Sequence, residues 1–122
     1  MINKRILVID DDDLVLKSFE KLLRKERYNV LKAASYEEAL DIFDKEQFDL
    51  ILSDIRMPGK NGVEAVKEIQ SRLIKTGKAD LPIIFITGYS KDYIQLDAKF
   101  IGEILSKPVD SNHLLSVIRD YL

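Results

Sequence analysis

The feature that most constrains this chain is an alternation. Short, continuous, largely β-branched apolar runs take turns with longer stretches of helical period. Ile6-Leu7-Val8-Ile9, Leu50-Ile51-Leu52 and Ile83-Ile84-Phe85-Ile86 are the clearest runs. Strands apolar on both faces suit a parallel sheet covered on both sides, since a half-solvated strand would alternate. Tyr28 to Ala33 is more mixed and reads as an edge strand. Ile101 to Leu105, interrupted by Gly102 and Glu103, reads as a weaker fifth strand.

The stretches between the runs have helical spacing. Val15, Phe19 and Leu22 recur at i, i+4, i+7 and predict one apolar stripe. Ser35-Tyr36-Glu37-Glu38 is a capping-box pattern, with Ala39, Leu40 and Phe43 on one face behind it. Val63, Val66, Ile69 and Leu73 follow Asn61-Gly62. Leu114, Leu115, Ile118 and Leu122 follow Asp110, a good N-cap. Ser90 to Lys99 reads as a further helix, and Gly59 to Gly62 and Thr76 to Asp80 as loops. The resulting order, βαβαβαβαβα, predicts an α/β fold with a parallel sheet and right-handed crossovers. The 122 residues give room for one core, so a single domain over 1–122 is expected, with no segment left for an effector domain.

Composition narrows the chemistry. There is no Cys, which excludes disulfides, thiolate catalysis and Cys-ligated metals. One His excludes a multi-His metal site. The net charge of −2 gives no electrostatic case for wrapping nucleic acid or coating an anionic membrane. No apolar run approaches the roughly 20 residues needed to span a bilayer. The N-terminal segment closes on four Asp rather than on the small residues of a signal peptide. A cytoplasmic location is therefore expected.

In an open parallel sheet, ligands bind beyond the carboxyl ends of the strands. Asp10, Asp11, Asp12 and Asp13 follow the first run, and Asp54 follows the third after Ser53. Thr87 follows the fourth, and Lys107-Pro108 the fifth. Separate strand ends thus deliver carboxylates, a hydroxyl and an ammonium to one edge. Crowded carboxylates repel, and a hard divalent cation relieves that; Mg²⁺ takes one or two carboxylates, waters and a phosphate. A carboxylate can also attack phosphorus, giving an aspartyl-phosphate, and phosphoryl transfer needs mainly positioning and charge neutralisation.

Ile6-Leu7-Val8-Ile9-Asp10-Asp11, Leu52-Ser53-Asp54-Ile55-Arg56-Met57-Pro58-Gly59, Ile86-Thr87-Gly88 and Ser106-Lys107-Pro108 together resemble the receiver domain of two-component response regulators. The resemblance covers essentially the whole chain, with the motifs in the family's order. It implies a flavodoxin-like, doubly wound, five-stranded parallel sheet in order 2-1-3-4-5, with helices on both faces. It implies Asp54 as phosphoacceptor, taking its phosphoryl group from a histidine kinase or a phosphotransfer protein. Asp10, Asp11, Asp54 and the backbone carbonyl of Arg56 would hold Mg²⁺. Thr87 would be the switch hydroxyl, and Lys107 the lysine that pairs with the phosphoryl group, with Pro108 its cis-peptide neighbour. The implied partner on the output side is a downstream domain or protein, read on the face of the fourth helix, fifth strand and fifth helix. A phosphorylation-dependent homodimer is a compatible assembly. No direct nucleic-acid or membrane contact is implied, and no enzymatic activity beyond the chain's own phosphorylation and dephosphorylation. Ile104 stands where the family usually has an aromatic switch residue. Phe100-Ile101 replace its frequent Gly-Ala turn. Tyr89 and Arg56 occupy positions that tune phosphate lifetime, and a bulky Tyr89 implies slow self-dephosphorylation.

Other readings compete. Asp10-Asp11-Asp12-Asp13-Leu14 also resembles the Asp-x-Asp motif of haloacid-dehalogenase-like phosphatases, with Asp10 as nucleophile and Asp12 as acid/base. That leaves Asp54 and the Met57-Pro58-Gly59 motif unexplained. A pseudo-receiver, an interaction module that is never phosphorylated, would have no use for the acid pair with Asp54, Thr87 and Lys107. One of Asp12 and Asp13 is expected to cap the first helix. His113 is expected on a helix surface. Lys17, Lys21, Arg24, Lys25 and Arg27 are expected to form a solvated basic face, and Leu14 and Ser18 to flank the first stripe, where they could help dock a kinase.

Overall fold

A computed structural model of the chain describes residues 3–54, 62–77, 81–88 and 102–122, apart from the side chains of residues 36, 62–66, 87 and 102. The elements in order are β1 (Arg5–Ile9), α1 (Asp13–Lys25), β2 (Asn29–Ala33), α2 (Tyr36–Lys45), β3 (Leu50–Asp54), α3 (Gly62–Lys75), β4 (Ile83–Thr87), β5 (Gly102–Ser106) and α4 (Ser111–Tyr121). The expected helix over Ser90 to Lys99 lies outside the described residues.

The five strands form one sheet in the order β2-β1-β3-β4-β5, and every pairing is parallel. The continuous apolar runs are explained by two cores, one on each face. Ile6, Val8, Leu50, Leu52, Ile84, Ile86 and Leu105 share one cluster with Leu16 and Leu23 of α1 and Leu114, Leu115, Val117 and Ile118 of α4. Leu7, Ile9, Ile51, Ile83 and Phe85 share the other with Ala39 of α2 and Ile69 of α3. Successive residues along each strand thus point to opposite cores. Each fully buried Leu or Ile adds roughly 1.5–3 kcal/mol of transfer free energy.

The first helix differs from its expected stripe. Leu16 and Leu23 are the buried residues of α1, while Phe19 and Leu22 are only partly buried against the same cluster and Val15 is intermediate. Five apolar residues make a stripe wider than one packing line, and packing against β1 and β2 selects its Leu16–Leu23 side. Strand β2 starts at Asn29 rather than Tyr28 because Tyr28 completes the turn that ends α1: its N–H donates to the carbonyl of Leu23 at 3.2 Å. As expected, β2 is an edge strand, pairing among the described residues only with β1. Strand β5 is the other edge, in register Thr87↔Ser106 with β4, and runs to Ser106 rather than Leu105.

The caps follow the sequence. Asp12 accepts from the N–H groups of Leu14 and Val15, and Asp110 from those of Asn112 and His113. Ser35 Oγ accepts from Glu38 N–H at 3.1 Å, and Glu38 reaches back to Ala34 N–H at 2.7 Å, one residue before the usual capping-box donor. After α3, Gly77 takes a φ of +77°, the left-handed region that glycine enters without penalty. His113, Lys17, Lys21, Arg24, Lys25 and Arg27 are exposed, as are Leu14 and Ser18.

Candidate functional site

The site lies at the carboxyl ends of β1, β3 and β5. Asp10 immediately follows β1 and Asp54 is the last residue of β3, so adjacent strands in the sheet place the two carboxylates side by side. Asp11 is the next residue along and is exposed, whereas Asp10 is buried. One carboxylate oxygen from each of Asp10, Asp11 and Asp54 lies within 4.8 Å of the others, a spacing that suits shared coordination of one cation. Lys107 follows β5, beyond β4, and its Nζ donates to Asp54 Oδ2 at 3.3 Å. The Lys107–Pro108 peptide is cis, as expected.

Burial decides the electrostatics of Asp10. Removal from water pushes its carboxyl from 3.8 up to about 6. The Asp12 N–H, donating to Asp10 Oδ1 at 2.8 Å, opposes this, as does the positive charge of Lys107. The negative charges of Asp54 and Asp11 reinforce it. A buried carboxyl held partly protonated beside two others is a donor set short of positive charge. A hard, oxygen-seeking divalent ion fits it better than any group already present.

Thr87 closes β4 opposite Ser106; the placement of its side chain lies outside the described residues. So do Arg56 and Tyr89. Ile104 is partly buried against the Leu7, Ile9 and Phe85 core, where the family usually carries an aromatic residue. Asp12, the acid/base of the phosphatase reading, spends its Oδ1 on the α1 cap at 2.9 Å from Leu14 N–H. Sequence reasoning missed the Asp12 N–H bond to Asp10. An Asp whose side chain accepts from the backbone two residues on is an ordinary Asx turn, so the signal was present.

The comparisons agree with this geometry. The family model described as the response regulator receiver domain matches residues 6–119. The sporulation initiation phosphotransferase F of Bacillus subtilis is 32% identical over 125 aligned positions, covering 100% of this chain and 96% of that protein. The transcriptional regulatory protein YvrH of the same organism is 34% identical; there the chain spans 50% of the relative's length. Among solved structures, the response regulator protein TrrA from Thermotoga maritima, in complex with Mg²⁺-BeF, superposes with a TM-score of 0.85. It is 33% identical, with 98% of this chain and 99% of that one covered. The chain belongs to the response regulator receiver domain family. It is thus a receiver of two-component signal transduction, and the phosphatase reading gives way to it. Among the described residues, no helix is long and apolar enough to cross a membrane.

Proposed function

We propose that this receiver is a phosphorylation switch whose phosphoacceptor is Asp54. The observation that carries the reading is the approach of Lys107 Nζ to Asp54 Oδ2 at 3.3 Å, with the Asp10 and Asp11 carboxylates grouped around the same residue. One carboxylate oxygen of Asp54 attacks the phosphorus of a phosphohistidine. The O–P bond forms as the N–P bond breaks, and the imidazole leaves with the bonding pair. Lys107 offsets charge on the transferred group, and the Thr87 hydroxyl donates to a phosphoryl oxygen. Asp10, Asp11 and Asp54, with the carbonyl of Arg56, would hold Mg²⁺. When bound, that ion supplies charge neutralisation for the phosphoryl oxygens.

The aspartyl-phosphate adds a charge of roughly −1.5 to −2 where a carboxylate stood. A partner that binds the phosphorylated form more tightly converts this into a signal, because a shift requires differential affinity. The donor is a sensor histidine kinase or a phosphotransfer protein, and the reader is a downstream output domain or protein. The chain acts in the cytoplasm as one receiver domain over 1–122, without enzymatic turnover of outside substrates.

Incubation with acetyl phosphate and Mg²⁺, followed by intact mass and peptide mapping, tests this. One phosphoryl adduct on Asp54, absent with EDTA and in Asp54→Asn, is expected. An adduct on Asp10, or none on the folded protein under conditions that phosphorylate a control receiver, overturns it.

A further inference from the structure

Across the sheet, one row of register-matched residues runs Ala33, Ile9, Ser53, Phe85, Ile104. The other four all belong to, or pack against, the α2–α3 core. Ser53 is the single polar side chain of the row, and it is 1% exposed. Packing alone asks for an apolar residue there, because a buried hydroxyl costs free energy unless it is hydrogen-bonded. Its Oγ donates to the main-chain carbonyl of Asp54 at 2.9 Å. The one polar exception in the row is therefore bonded to the backbone of the residue that carries the chemistry.

We propose that Ser53 is a positioning residue for phosphoryl transfer at Asp54: its hydroxyl holds the Asp54 carbonyl and with it the direction of the carboxylate. This rests on the reading of Asp54 as phosphoacceptor. Ser53 and Lys107 then hold different parts of Asp54. Ser53 fixes its backbone from inside the core, and Lys107 meets its side chain from the open edge. The Lys107 contact must be remade once the carboxylate carries a phosphoryl group, while the Ser53 contact serves both forms. Such positioning acts on rate because transfer depends steeply on the alignment of the attacking oxygen.

Ser53→Thr and Ser53→Val separate this role from packing. Both add one branch of the same size, and only Thr keeps the hydroxyl. Phosphorylation by acetyl phosphate with Mg²⁺ would be followed to saturation for wild type, both variants and Ser53→Ala, with thermal melts beside each. A hydrogen bond of ordinary net strength corresponds to roughly a three- to tenfold rate change. The Ala and Val variants are expected to lose that factor in the saturating rate with the half-saturating concentration unchanged. Thr is expected to restore most of it. If Val does not fold, the Ala loss and Thr rescue decide alone. Equal rates for folded variants with and without the hydroxyl overturn the inference and leave the phosphoacceptor reading standing. A wild type that takes no phosphoryl group on Asp54 overturns both.

Discussion

Lys107 Nζ meets Asp54 Oδ2 at 3.3 Å although the residues are 53 positions apart and lie at the ends of strands that are not neighbours, with β4 between them. The Asp54 side chain is only 10% exposed, while that of Lys107 is 45% exposed. The pair is buried only at its carboxylate end, and with the ammonium half in water its contribution to stability is on the order of 1 kcal/mol. On the proposed reading of Asp54 as phosphoacceptor, its benefit falls instead on the chemistry, where the ammonium would offset the charge of the transferred group.

Lys107→Met therefore separates stability from function. The thermal midpoint is expected to stay within roughly 6 °C of wild type. Phosphorylation of Asp54 by acetyl phosphate is expected to slow by about a hundredfold, the lower end of what the loss of one preorganised donor costs. A variant that is phosphorylated at the wild-type rate would remove Lys107 from the reaction.

Asp10 predicts a pH dependence of definite sign. Its folded carboxyl titrates near 6 against 3.8 for a free one, so the folded state holds the proton more tightly. The associated stability is complete below the unfolded value and is lost as pH rises through about 6. Without divalent ions, Asp10→Asn should be more stable than wild type at pH 7.5, by up to about 3 kcal/mol, and the advantage should vanish near pH 4. Denaturant melts at the two values check this, and equal stability at pH 7.5 would contradict it. Mg²⁺ should raise the midpoint of wild type above pH 6, lose that effect as Asp10 protonates, and do little for Asp10→Asn.

Much of this site was legible before the fold was known, for a physical reason. Asp10, Asp54 and Lys107 each follow an apolar run, and a parallel sheet brings all such ends to one edge. What the pattern left open depended on neighbours rather than on residue type. Leu16 and Leu23 carry the burial of α1 because the sheet selects one side of a broad stripe. Ser53 inside an apolar run is unremarkable until its hydroxyl is found on the Asp54 carbonyl. Arg27 carries no turn signal, yet takes a left-handed φ of +67°.

Asp12 gives a test between carboxylates that are adjacent in sequence. Its side chain caps α1, so Asp12→Ala should cost about 1 kcal/mol of stability, while Asp12→Asn, which still accepts from Leu14 N–H, should cost little. Phosphorylation of Asp54 should stay within about twofold of wild type in both, because a net cap energy near 1 kcal/mol acts on folding and not on the reaction. Loss of the reaction in both variants would assign Asp12 a chemical role after all.

The end of α1 offers a stabilising change. The N–H of Arg27 donates to the Arg24 carbonyl at 3.0 Å and that of Tyr28 to the Leu23 carbonyl at 3.2 Å. This is the Schellman arrangement, which places a left-handed residue just past the helix, a position that glycine occupies most easily. Arg27 fills it with a Cβ that crowds the following carbonyl, a strain of roughly 1–2 kcal/mol, part of which a glycine gives back through its freer unfolded chain. Arg27→Gly is expected to stabilise the protein by about 0.5–1 kcal/mol and to raise the thermal midpoint by roughly 2–6 °C. Arg27→Ala keeps the Cβ and should change little, which separates relief of strain from loss of a surface charge. Equal midpoints for the Gly and Ala variants would show that the Leu23–Tyr28 closure, with both side chains on the α1–α4 core, already absorbs the strain.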